Sequence, residues 1–423
     1  MNKILYTILF VSISIITVTA QKVYKTYVNS PYINSLQVNV AGKETPAPVI
    51  ELHGENQIEI NFDMLGEGYS QHTYSITHCN ADWTQSSISK TEYMKGFQGL
   101  TIDNYTHSKA TVTPYTNYSL LLPNDEIQFS ISGNYAVNIY DEDNPEKVLF
   151  TACFSIVEST IEIEAQVSSK TLTGINKSHQ QVSFAINHRN FPIPNPLTEL
   201  KICVSQNNRR DNMATAIKPS AIQQNRIVYE YAKELIFDAG NEYRRFEVLS
   251  SKYNGIGVEY IRFFNPYYHI MLYPDISRNN KTYHYDRDHN GRFFASCSNC
   301  DDPNREADYH IVRFTLAEAL MPGGEIYLNG ELTNNNFDES SVMRYNHETT
   351  RYEKEILLKE GHYNYQYLFV PDKESKGQTA PTEGNYFETE NEYTIYVYYS
   401  PIGARYDKLI GVLSTNSQQK TQN

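Results

Sequence analysis

Residues 58–62, Ile58-Glu59-Ile60-Asn61-Phe62, alternate apolar and polar side chains. Successive side chains of a β-strand point to opposite faces, so such a run buries one face and wets the other. The same period returns in Ile127-Gln128-Phe129-Ser130-Ile131 and in Val182-Ser183-Phe184-Ala185-Ile186. In Tyr363-Asn364-Tyr365-Gln366-Tyr367 three tyrosines share one face and two amides the other. Ile395-Tyr396-Val397-Tyr398-Tyr399 carries bulk at every position, the pattern of a strand covered on both sides. Asn, Gly, Asp and Pro clusters separate these runs at close spacing, as turns do. The pattern predicts an all-β fold of several immunoglobulin-like or fibronectin-III-like β-sandwich domains in series. Helical signal is confined to Ser89-Lys90-Thr91-Glu92, which has capping-box form, with Gly96 placed to end a helix of about two turns.

Working outward, the beginning of the chain reads as a secretion signal. Lys3 supplies the positive charge, Ile4 to Val18 the apolar run, and Val18 and Ala20 the small residues for cleavage after Ala20. The apolar run, about 15 residues, is shorter than the roughly 20 a spanning helix needs. No Cys follows the cleavage point, so no lipid anchor is expected there. The division expected is a signal peptide at 1–20, an N-terminal sandwich at 21–158, a second at 159–305, a third at 306–412, and a polar, disordered tail at 413–423.

The 423 residues include 36 Lys and Arg against 49 Asp and Glu, a net charge of -13. An acidic surface argues against broad nucleic-acid binding, which needs cations to neutralise phosphates, and against docking on anionic lipid. The 35 Tyr and 18 Phe outweigh a single Trp, Trp83. Tyrosine favours strands and joins an apolar body to a polar tip, which suits half-buried sheets and wet interfaces.

Chemistry-bearing motifs are few. Cys297-Ser298-Asn299-Cys300 is open to reading as a zinc half-site, a redox pair or a local disulfide; no second CxxC or His pair accompanies it, so a local disulfide or two idle thiols is expected. Cys79 and Cys153 lie on separate expected strands and are candidates to bridge two sheets. Asp286-Arg287-Asp288-His289-Asn290-Gly291 opens like an EF-hand loop, but Cys297 stands where the bidentate Glu is required. Asn290-Gly291 is expected instead as a hairpin turn between Tyr283-His284-Tyr285 and Arg292-Phe293-Phe294. Asp141-Glu142-Asp143-Asn144-Pro145 reads as a second acidic turn. His347-Glu348-Thr349-Thr350-Arg351 falls one His short of a zinc-protease helix. His78, near Cys79 and Asp82, reads as a buried strand histidine. With no nucleophile elbow and no phosphate-binding loop, the chain is expected not to be an enzyme, with no cofactor and no small-molecule ligand.

Several stretches, taken in order, resemble the type IX secretion system plug family. They are Thr77-His78-Cys79-Asn80-Ala81-Asp82-Trp83, Leu122-Pro123-Asn124-Asp125, Ser132-Gly133-Asn134-Tyr135, Ala239-Gly240-Asn241-Glu242-Tyr243-Arg244, Asp288-His289-Asn290-Gly291-Arg292, Glu306-Ala307-Asp308-Tyr309, Pro322-Gly323-Gly324, and Glu383-Gly384-Asn385-Tyr386-Phe387-Glu388-Thr389-Glu390-Asn391, followed by Pro401-Ile402-Gly403-Ala404-Arg405-Tyr406-Asp407. These are mostly turn and strand-edge residues, so they mark a scaffold rather than a chemistry. The resemblance implies a periplasmic protein of Bacteroidota-type bacteria, partnered with the outer-membrane β-barrel translocon of type IX secretion and blocking its periplasmic opening when idle.

A second resemblance touches the third sandwich. Gly330-Glu331-Leu332-Thr333-Asn334-Asn335, Met343-Arg344-Tyr345-Asn346 and the run from Gly361 to Tyr367 look like an early-set immunoglobulin domain of the glycogen-binding type. The stacking Trp of that pattern is missing here. The alternative function it implies is a periplasmic or surface carbohydrate-binding protein.

Overall fold

The alternating runs pair as strands, and a computed structural model describes them over residues 21–142 and 144–418. The expected signal peptide, Asp143 of the acidic turn and the last residues, 419–423, lie outside that range. The described residues form three β-sandwiches, so the chain is nearly all β.

The first sandwich sets strands Ile33–Val40, Ile58–Leu65, Tyr115–Leu122 and Tyr105–His107 against a sheet built on Asn144–Val157, Gly133–Asp141 and His72–Cys79. The alternation in Ile58–Phe62 does what its period implies: Ile58, Ile60 and Phe62 are fully buried, and Phe62 stacks on Tyr118 with ring centroids 5.1 Å apart. Asp141 pairs with Asn144 across a hairpin, which accounts for the acidic turn. The expected strand at 127–131 shortens to Gln128–Phe129, paired with Met94–Lys95. The expected helix is a single turn, Lys90–Tyr93, closed by the Ser89–Glu92 capping box.

The second sandwich packs Glu162–Ser168, His179–Asn187 and Arg226–Tyr229 against a sheet ordered Leu200–Gln206, Glu392–Tyr399, Lys408–Asn416. Its middle strand comes from near the end of the chain. The third sandwich, with Gly361–Pro371 central to one sheet and Tyr309–Leu316 to the other, also draws in Arg244–Val248 and the hairpin Val258–Phe264 with Tyr267–Leu272.

The strand pairing therefore crosses the expected boundaries. The third sandwich is inserted between two parts of the second, and the division at 305/306 falls within the inserted part. The strand Lys408–Asn416 runs into the segment expected as a disordered tail, where Thr394 pairs with Ser414 and Glu392 with Asn416. Local composition shows a polar end; the pairing partner that orders it is a strand no local pattern points to.

The bulk on both faces of Ile395–Tyr399 now has its reason. Ile395 and Val397 enter the core of the second sandwich, while Tyr396 and Tyr398 face the first sandwich beside Ala81, Val157 and Leu409. There the Tyr398 hydroxyl donates to Asn134 Oδ1 at 2.9 Å, and Asp407 accepts from the Ala81 amide at 2.9 Å.

The seam between the first and third sandwiches is held by a buried ion pair. Lys359 Nζ lies 2.7 Å from Asp63 Oδ2, with the two residues 3% and 0% exposed. Asp63 also accepts from the Tyr309 hydroxyl at 2.6 Å and from Asn117 Nδ2 at 2.7 Å. The Lys359 ammonium sits 4.2 Å from the Tyr115 ring and donates to the Asn304 carbonyl at 2.8 Å. Burial lowers the Lys359 pKa, and the Asp63 carboxyl opposes that shift. Beside this pair, Asp308 accepts the amides of Val112 and Thr113.

Removing one member of a buried pair leaves the other without compensation. Lys359→Met should lower the unfolding free energy by about 3–5 kcal/mol. Adding Asp63→Asn should restore a large part of it, because the carboxamide oxygen introduced there can still accept from Tyr309. Urea titrations of the wild type, the single variant and the pair check this; a double variant no better than Lys359→Met would contradict it.

Candidate functional site

All three sandwiches meet at one cleft of about 960 Å³. The first contributes the turn after strand His72–Cys79. Asn80 O accepts the Trp83 amide at 2.9 Å, and the Asp82 carboxylate takes the Thr84 amide at 3.0 Å and its hydroxyl at 2.6 Å. This tight turn leaves Trp83 in the left-handed region, with φ 64, and turns its indole into the cleft.

The second sandwich meets the indole with a cation. Arg210 lies 3.8 Å from the Trp83 ring centroid, a stacking distance, and donates to the Tyr24 carbonyl at 2.7 Å. Arg210 projects from a loop whose Asn207 and Asn208 both have positive φ, which asparagine tolerates better than most residues. The neighbouring Arg209 is held by Asp211 in a fork, 3.0 and 2.6 Å, and donates to the Gly377 carbonyl of the third sandwich at 3.1 Å. The third sandwich closes the cleft with Phe337 against Tyr327, ring centroids 5.1 Å apart, and with Asn336 Nδ2 donating to the Thr26 carbonyl at 3.0 Å. The cleft offers aromatic faces, a stacked guanidinium and backbone groups: a recognition surface. Among the described residues no three His, Cys, Asp or Glu side chains converge to hold a metal.

The cysteines separate into two cases. Cys297 and Cys300 form a disulfide. Cys79 and Cys153 are buried free thiols. They do not bridge two sheets, because they belong to the same one: Cys79 pairs with Asn134 and Cys153 with Ala136, on either side of strand Gly133–Asp141. Two strand spacings, roughly 10 Å, separate them, beyond the span of a disulfide of about 7 Å.

The remaining motif residues serve the scaffold. His78 is 1% exposed; its Nε2–H donates to the Ser132 carbonyl at 3.2 Å, its Nδ1 accepts from Ser86, and burial pushes its pKa down to about 4. His347 to Thr350 form the turn between Arg344–Asn346 and Arg351–Lys359, and Arg351 opens the second strand. Asn290-Gly291 makes the tight turn expected, both at positive φ, but Phe293–Ala295 pairs with Gly361–Pro371 rather than with 283–285. The stretch Gly330–Asn335 is packed into the junction, with Leu332 against the core and Thr333 buried, so it presents no open platform for a sugar ring.

Trp83 entered the sequence reading only as the one tryptophan and as part of a turn motif, and Arg210 not at all. Their partnership is made by the first and second sandwiches docking, and no local spacing signals it.

Residues 33–158 match the model of a family described as the type 9 secretion system plug protein 1st domain. The crystal structure of a hypothetical protein from Parabacteroides merdae ATCC 43184 is similar with a TM-score of 0.93 and 58% identity, covering 94% of this chain and 100% of that one. No curated protein matches.

Asp288, in the loop resembling an EF-hand opening, bonds inward: it accepts the amides of Tyr243 and Asn290. Burial pushes its pKa up to about 7, with the negative charges of Glu242 and Glu390 adding to the rise. The unfolded carboxyl titrates near 3.9. The folded state thus holds an extra proton between those values, and the stability that proton provides is lost as pH rises through about 7. Asp288→Asn keeps the acceptor without the charge. The variant should match the wild type near pH 4 and exceed it above pH 8 by up to about 4 kcal/mol, at about 1.4 kcal/mol per pH unit. Urea midpoints at the two pH values check the sign; a variant less stable at high pH would reverse it.

Proposed function

We propose that this chain, which belongs to the type 9 secretion system plug protein family, is a non-enzymatic periplasmic plug that closes the translocon barrel of that system when no substrate is passing. Its place in type IX secretion follows from the family. The closing of the barrel is our reading, and the observation that carries it is the way the three sandwiches are locked.

Every seam has buried directional bonds: Lys359 to Asp63 between first and third, Tyr398 to Asn134 between first and second, and Arg209 to the Gly377 carbonyl between second and third. A steric plug must resist deformation, and bonds of this kind tolerate little displacement. The exterior suits the task as well. The interior of an outer-membrane barrel is polar. An acidic surface with exposed tyrosines such as Tyr32, Tyr231 and Tyr273 can meet it through hydrogen bonds, direct or through water, that hold without becoming irreversible.

Deletion of the gene in its host should raise the entry of vancomycin, a drug too large to cross an intact outer membrane. Removing the translocon barrel as well should return entry to its original level. Unchanged entry in every background would contradict the reading.

A further inference from the structure

One wall of the three-sandwich cleft is backbone. Strand Leu200–Gln206 is paired along one side with Glu392–Tyr399. Along its other side, among the described residues, it makes a single bridge, in which Val204 and Ala214 exchange both amide bonds at 2.9 Å. Peptide groups alternate sides along a strand, so the N–H and C=O of Ile202 face the same side as those of Val204. The Leu200 amide on that side is taken by the Pro196 carbonyl. The Ile202 N–H and C=O find no partner among the described residues. Buried backbone groups are almost always paired, and an open strand edge is a template for another strand.

The chain itself keeps this edge open. Past Ala214 the pairing would continue opposite Ile202, but Ala216 adopts φ 54. That left-handed conformation is costly for a residue with a Cβ. It carries Thr215–Ile217 away from the edge to form the facing wall of the cleft. The edge is also recessed. Trp83 and Phe337 line the same cleft as Leu200–Ile202, so a chain reaching the edge enters beside their rings.

We propose that this cleft binds a segment of another polypeptide in extended conformation, added as a strand beside Leu200–Ile202, with apolar side chains at alternate positions. Main-chain bonds to Ile202 supply the register. The two faces of the added strand meet different surroundings. One continues the inner face of the sheet, where Ile202 and Ile217 belong to the core of the second sandwich. The other continues the outer face toward Met213 and Trp83, beside the seam residues Cys203 and Tyr396.

The test uses the mature chain and a phage-displayed random dodecapeptide library, followed by fluorescence anisotropy with the recovered peptides and hydrogen exchange at the Ile202 amide. Recovered peptides should share apolar residues at alternate positions and slow Ile202 exchange about tenfold or more. Thr215 and Val23 line the cleft from exposed positions. Thr215→Trp and Val23→Trp fill it without entering a core, and each should weaken binding about tenfold, or ~1.4 kcal/mol, at an unchanged melting temperature. Peptides that bind with Ile202 exchange unaltered, binding indifferent to both tryptophans, or protection of Ile202 by maltoheptaose in place of peptide would overturn the proposal.

Discussion

The carboxyl of Asp63 is buried where two sandwiches meet, and its partners come from both. Asn117 belongs to its own sandwich, while Lys359 and Tyr309 reach it from the other. Removing such groups from water costs several kcal/mol each, and only near-ideal geometry offsets the cost. The pair therefore permits one relative position of the sandwiches and penalises every other. The same logic repeats at the second seam, where Asp407 takes both the Ala81 amide and the Lys201 ammonium, and at the junction, where Arg209 and Asp211 each bond the backbone of Gly377. Apolar contact alone would let the sandwiches slide; these bonds fix the register.

Insertion strengthens the constraint. The third sandwich leaves the second after Asp238 and returns at Glu392, so two strands of chain cross that seam. Where they cross, the buried Glu383 holds Arg244 at 3.0 Å and Arg278 at 2.7 Å. Burial raises the pKa of that carboxyl, but the two guanidinium groups outweigh it and hold it at about 2. The cleft at the junction takes its shape from the docking of the three sandwiches. Trp83, Arg210 and Phe337 come from three different sandwiches and form one surface only while every seam is closed.

The periodicity of single runs was legible and the assembly was not. Ile58–Phe62 declared its strand and its buried face, and Ile395–Tyr399 declared that both its faces were covered. The capping box of Ser89 and Glu92 marked its helical turn, shorter than expected. What failed was every feature that depends on residues far apart in the chain. The return of Glu392–Tyr399 to a sheet begun at Leu200 leaves no local trace, nor does the pairing of Lys408–Asn416 that enters the tail expected at 413–423. Cys79 and Cys153 looked like sheet-to-sheet partners because spacing does not say which strands are neighbours. The stacking of Trp83 and Arg210, and the edge left open beside Ile202, exist only after docking. The family resemblance covered what periodicity could not, since an ordered set of turn motifs marks a scaffold even where its assembly is invisible.

Buried polar bonds should make the three sandwiches one cooperative body. Differential scanning calorimetry of residues 21–423 tests this directly. A single transition is expected, with a calorimetric enthalpy equal to the van't Hoff enthalpy, because no sandwich can unfold without stranding charged groups of its neighbours. Two or three resolved transitions, with a calorimetric enthalpy well above the van't Hoff value, would show sandwiches that melt independently and would contradict it.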